Sequence, residues 1–467
     1  MKKSLLKVLA TVLVGTMTVG MLAGCGGSTK SSTTDTSNTA VESEADSADS
    51  TSETESSKTT KLSALEEAAK KYGSEYTGDP VNLTFWYLNT RQEGTDKLTE
   101  IWNQQNPNVQ VTVSYYDTDG IKDACKTAAQ SDSMPSMWFN WGGALGQYYV
   151  ENGLTYDLTE YANKHGWNES VNAGALSLVK LCDQISGYPT SFNVIGMFYR
   201  TDIFEECGLK VPTTIEEFDN VCATLKEHGY TPISTAGLNG WHVMRLIEQF
   251  IEAEAGADTH DSLQALTTSW DNDAVVKAFE RYQTYCQNGY FPDGFVTANP
   301  DDTYMAFAQG TAAMDIQGQW YDSTLQNNGV TLDNVSWFPF PNGTGRMSAF
   351  AEMTQFSAKL TEAELDAAMA YMHFIFSNEA TKEYPTYYNL PLPYNNADPV
   401  DSTVNPHVQD MLDTASKNGT FTITDQAFPA EVADVLFNYQ DAIANGESTP
   451  AEAAPAIQAA IEAYQSK

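Results

Sequence analysis

Three tryptophans stand in turns, each near a glycine and a planar polar side chain. Trp141 follows Asn140 and precedes Gly142 and Gly143; Trp241 follows Asn239 and Gly240; Trp320 follows Gly318 and Gln319. An indole face stacks on apolar C–H groups. Amide, carboxylate and guanidinium groups hydrogen-bond in a plane. Together these types suit a ligand ring with apolar faces and a rim of hydroxyls, held but not transformed. Catalytic patterns are missing from the sequence: there is no His-Glu-x-x-His, no Gly-x-Ser-x-Gly and no phosphate-binding glycine loop. The six histidines are scattered and suggest no metal cluster. No catalytic residue, metal ligand or cofactor is expected.

The elements that position these residues read as α/β. Residues 79–89 ("DPVNLTFWYLN") and 109–117 alternate as strands, and 134–143 form a third strand running into the Gly-Gly turn. Helices are expected at 94–110 and 121–130 between them. This β-α-β-α-β order implies a parallel, helix-covered sheet with ligands at the carboxyl ends of its strands. Further on, a strand after Pro189 and a second at 195–199 precede helices at 211–229, 272–290, 302–310, 361–384 and 449–467. Thr214 and Glu217 form a capping-box pattern at the first of these.

The chain opens with Lys2, Lys3 and Lys7, then an apolar run from Val8 to Ala23 that is short for a membrane span. The run ends in Leu22-Ala23-Gly24-Cys25, which resembles a bacterial lipobox. A signal peptide over 1–24 and lipidation of Cys25 are expected, with acyl chains holding the protein on the outer face of a bacterial, Gram-positive cytoplasmic membrane. Residues 28–60 hold 19 Ser or Thr in 33 positions and no aromatic residue, so they read as a disordered tether. The structured part begins near Leu62 or Pro80, and the tether is drawn through residue 79. A net charge of −36, from 61 acidic and 25 basic residues, excludes a nucleic-acid partner and argues against docking on anionic lipid. Apart from Cys25 the five cysteines show no Cys-x-x-Cys, and buried free thiols are expected for most of them.

Several segments, in order, resemble the extracellular sugar-binding proteins of ABC importers, the family that includes maltose-binding protein. They are "PSMWFNWGGALGQYYVENGL", "GYPTSFNVIGMFYRTDIFEECGLKVPTTIEEF", "AFAQGTAAMDIQGQW" and "YMHFIFSNEATKEY". The resemblance spans roughly residues 80 to 467. It implies a two-lobed periplasmic-binding-protein type II fold, each lobe a mixed sheet flanked by helices. Lobe one would take 80–192 and 342–395; lobe two would take 193–341 and 396–467. The crossings would fall near Phe192 and Pro341, the ligand would lie between the lobes, and hinge closure would be sensed by a membrane permease. A monomer is expected.

The resemblance also implies ligand residues. Trp141 from lobe one and Trp320 from lobe two would offer indole faces, with Asn140 beside the first and a close backbone approach at the glycines around the second. Trp241 is either a ligand aromatic, with Asn239 bonding a hydroxyl, or the first core residue of a helix over 241–251. Asn89 and Arg91 follow the first strand where polar contacts belong. Trp86 and Tyr87 point to opposite faces, so at most one, Trp86 as the candidate, reaches the ligand. Asn193 stands at the first crossing. Arg346 and Glu352 flank the second and either pair with each other or touch hydroxyls. Asp301 is expected to cap the helix after it. The rivals are a glycoside hydrolase using Asp315 and Glu352, a surface adhesin, and a receptor for a peptide or glycerophosphodiester.

Overall fold

The computed structural model describes residues 63–388 and 392–467. The signal segment, Cys25 and the Ser/Thr-rich stretch lie outside the described residues. β1 (Val81–Leu88), β2 (Val109–Tyr116) and β3 (Met137–Trp141) run parallel in the order β2-β1-β3. A hairpin of β4 (Lys180–Leu181) and β5 (Gln184–Ile185) leads to β6 (Tyr188–Arg200). β6 is one strand of 13 residues where the pattern suggests two, because it continues unbroken from one lobe into the other.

The remaining strands are β7 (Thr231–Ser234), β8 (Ala312–Gly318), β9 (Val335–Phe338), β10 (Met347–Phe356) and β11 (Thr420–Thr422). β10 lies antiparallel between β3 and β6, with β11 parallel along its first residues. β8 and β9 run antiparallel to the second half of β6, and β7 runs parallel to β8.

β6 and β10 serve both lobes. Tyr188 packs in the first core, with Phe85, Trp102 and Trp138; Ile195 and Met197 pack in the second, with Phe218, Phe250 and Trp270. On β10, Ala351, Met353 and Phe356 belong to the first core and Phe350 to the second. The second crossing therefore falls between Phe350 and Ala351, later than Pro341, because Met347–Phe350 is already packed with lobe-two residues.

The tether ends earlier than residue 79. Ala64–Gly73 is a helix opened by a capping box of Ser63 and Glu66. Leu65, Ala68 and Ala69, at helical spacing, are buried in the first core, and Asn106 Nδ2 donates to the Ala69 carbonyl at 3.0 Å. Local chemistry amends other expectations. Thr214 caps its helix, but the Glu217 carboxylate takes the Thr213 N–H and hydroxyl, at 2.7 and 2.8 Å. The helix drawn over 361–384 breaks at Ser377, which caps a second helix, Asn378–Glu383. All five described cysteines are free; Cys125 and Cys222 are buried, Cys207 and Cys286 partly so, and Cys182 is exposed. Among the described residues no helix is long and apolar enough to cross a membrane.

Leu65→Asp places a carboxylate in the first core, so it should lower the unfolding free energy by about 3 kcal/mol in urea titration. An unchanged midpoint would mean that Ala64–Gly73 is part of the tether after all.

Candidate functional site

The three tryptophans line a single cleft of about 280 Å³. Trp141 is the last residue of β3, Trp320 follows the end of β8, and Trp241 opens the helix Trp241–Ala255. All three are half-buried. Trp241 is thus both the first residue of its helix and part of the cleft wall. Gly318 sits so close to the Trp320 ring that a β-carbon there would lie 1.9 Å from it. Glycine at 318 makes room for the indole itself, not for a ligand. Trp320 packs edge-on against Phe350, with centroids 5.6 Å apart.

Cations lie over these rings. Lys122 Nζ is 5.0 Å from the Trp141 centroid and 5.5 Å from that of Trp241. The Arg245 guanidinium is 4.6 Å from Trp241 and 5.2 Å from Trp320. Each such contact contributes up to about 2 kcal/mol when desolvated. The sequence Trp141, Lys122, Trp241, Arg245, Trp320 runs from lobe one to lobe two. Hydrogen bonds also join the lobes: Asn239 Nδ2 donates to Asp119 at 2.7 Å, and the Thr118 hydroxyl donates to Asp301 at 3.1 Å. Asp301 is thereby held across the cleft instead of capping a helix; the Asn299 side chain accepts the Asp301 N–H.

A polar relay runs from the cleft into the crossing strands. Arg91 pairs with Glu352 at 3.1 Å, Ser191 donates to the same carboxylate oxygen at 3.0 Å, and Asn193 donates to Ser191 at 3.0 Å. Burial works against the Arg91 cation, but Tyr87 and Glu352 hold its pKa above the ordinary value. Glu352 sits at the register shift between β6 and β10, and Arg91 and Glu352 both line the cleft. The Arg346–Glu352 pair does not form. Arg346 instead binds Glu252 at 2.9 Å and Asp261 at 2.8 Å and does not line the cleft.

Other candidates lie outside the lining of the cleft. The Asn140 amide donates to Gln355 at 2.8 Å and its oxygen accepts the Trp141 backbone N–H. Asn193 is fully buried. Trp86 packs on Tyr116, with centroids 5.3 Å apart. Asn89 is exposed at the start of a short 3-10 turn, and Asn239 is spent on Asp119. None of these lines the cleft. Sequence reading missed Lys122, Arg245, Gln317 and Asp425 in the lining. Two signals were available: Thr118–Gln130 starts at the carboxyl end of β2, and Arg245 follows Trp241 by four residues on one helix face.

A family profile described as bacterial extracellular solute-binding protein matches residues 97–410, about two thirds of the chain. The chain belongs to that family. Among its relatives, the multiple sugar-binding protein of Streptococcus mutans serotype c is 24% identical over 287 residues, covering 58% of this chain and 65% of the relative. The AglE alpha-glucosides-binding periplasmic protein of Rhizobium meliloti is 26% identical over 35% of this chain and 32% of its own length. The chain thus spans less than two thirds of the curated relatives it matches. The fold is shared with a chitin oligosaccharide binding protein, TM-score 0.75 at 22% identity over 84% of this chain and 100% of the other. It is shared also with maltose-bound T. maritima MalE3, TM-score 0.71 at 16% identity over 82% and 99%.

In this solute-binding protein one buried acid shares a helix with Trp241 and Arg245. Glu248, one turn past Arg245, is 1% exposed and accepts the Thr424 N–H and hydroxyl at 2.9 and 3.0 Å. Burial pushes its carboxyl up to about 8. The folded state keeps a proton that the unfolded chain releases above its ordinary pKa of about 4.3. Its contribution to stability is therefore complete below that value and declines as pH rises toward 8. Unfolding midpoints measured from pH 5 to 8 should fall, and Glu248→Gln should flatten the fall. An equal slope in the variant would assign the titration to another group.

Proposed function

We propose that this protein captures an extracellular carbohydrate between its lobes and delivers it to the permease of an ABC importer. The ligand is an oligosaccharide, the protein works as a monomer held at the membrane through lipidated Cys25, and it binds without catalysis. One observation carries this reading: half-buried indoles from both lobes face one cleft in which Arg91, Glu352, Arg245, Gln317 and Asp425 supply planar polar groups. Stacking on ring faces and hydrogen-bonding the rim require that combination. Relatives and structural neighbours named for sugars support it.

The hydrolase reading has less support. Asp315 is fully buried, where it accepts the Tyr321 hydroxyl at 2.8 Å, and it does not line the cleft. Glu352 is held by Arg91 and Ser191. A facing carboxylate pair, which hydrolysis needs, is not built from these two.

Calorimetry and indole emission against xylo-, malto-, gluco-, manno- and galacto-oligosaccharides should find at least one ligand that shifts the spectrum and is recovered unchanged. Trp320→Ala should weaken that ligand tenfold or more, about 1.4 kcal/mol. Silence with every carbohydrate tested, or appearance of hydrolysis products, would overturn the reading.

A further inference from the structure

Four of the five arginines have a carboxylate partner: Arg91 with Glu352 at 3.1 Å, Arg200 with Asp202 at 2.6 Å, Arg281 with Glu254 at 3.3 Å and Arg346 with Glu252 at 2.9 Å. Arg245 has no ion pair among the described residues, in a chain with 61 acidic residues to choose from. It is also deeply placed, 7% exposed in the cleft wall. Nη1 donates to the neutral Gln317 amide oxygen at 3.2 Å, and Nε is buried without a hydrogen-bond partner. The guanidinium carbon lies over the Trp241 and Trp320 rings, and a guanidinium placed on aromatic rings can still hydrogen-bond through its N–H donors.

A buried guanidinium without a counter-charge is costly unless something else supplies the charge. Burial already lowers its pKa to about 10. None of the acids around it forms an ion pair with it among the described residues. Asp425, Asp315, Glu248 and Asp301 act on it from beyond ion-pair distance. Burial pushes Glu248 up to about 8 and raises Asp425 and Asp301 as well. Asp315 is engaged by Tyr321 and Gln317. Lys122 adds a second cation nearby, itself paired with Asp119 at 3.1 Å.

We propose that Arg245 is the specificity determinant of the cleft and that the ligand is an acidic oligosaccharide whose uronic-acid carboxylate completes the missing ion pair. The proposal rests on the carbohydrate reading and narrows it. A planar carboxylate matches the guanidinium fork with two parallel hydrogen bonds, while the indoles stack on the ring that carries it.

Matched probes separate the outcomes. Trigalacturonate is compared with galactotriose, and glucuronic-acid-substituted xylotetraose with xylotetraose, with a hexose phosphate as a further anion. Wild-type protein should bind at least one acidic probe tenfold or more tighter than its neutral match. Arg245→Gln should abolish that preference while circular dichroism stays unchanged, and Arg245→Lys should restore part of it. Equal or tighter binding of the neutral probes overturns the proposal and leaves the carbohydrate reading standing. A preference that survives in Arg245→Gln, or that appears for the phosphate and not the uronates, also overturns it. No binding to any probe, neutral or acidic, overturns both.

Discussion

The antiparallel pairing of β6 with β10 is the constraint on which the rest of the structure depends. These strands cross from one core to the other side by side, from Tyr188 against Thr354 to Val194 against Ala349. Strand backbone bridges the lobes in register, so each core can be built independently while the cleft walls keep a defined relation. The register shift beside Glu352 lies in this pair, at the point where the cleft floor meets it. Arg91 from lobe one and Ser191 from β6 both bind that carboxylate. A ligand that changes the Arg91–Glu352 contact would therefore act directly on the crossing strands, a physical route for the hinge closure that the family resemblance implies.

Around that pair the site follows from topology. β3 and β8 end at the cleft and each delivers a tryptophan, one per lobe. The third tryptophan comes from a helix start, held by a glycine and by Asp119 from the opposite lobe. Cations alternate with these rings, although the chain as a whole is strongly acidic. Net charge describes the solvated surface, whereas the cleft is set by a few buried side chains.

The strand and helix order of lobe one was legible because apolar alternation and helical spacing survive on a half-buried sheet. So was the placement of Trp141 and Trp320 at the ends of strands, marked by their turns. Trp86 and Asn140 stay out of the cleft lining for a shared reason: a residue beside the right strand end still points to one of two faces, and only packing decides which. Arg346 and Glu352 are near in sequence yet find partners in distant segments, Glu252 and Arg91. Ion pairing across β10 depends on tertiary placement that a linear pattern does not carry. Arg245 escaped notice because it resembles an ordinary helix-face cation. Its missing partner is a fact about three dimensions.

The most direct test of the central claim is a crystal structure of the protein with its best oligosaccharide. The account predicts a sugar ring between the lobes, its face on Trp141 or Trp320 and its rim bonded by Arg91, Glu352 or Arg245. A sugar bound outside this cleft, with all three indoles free of contact to it, would contradict the account.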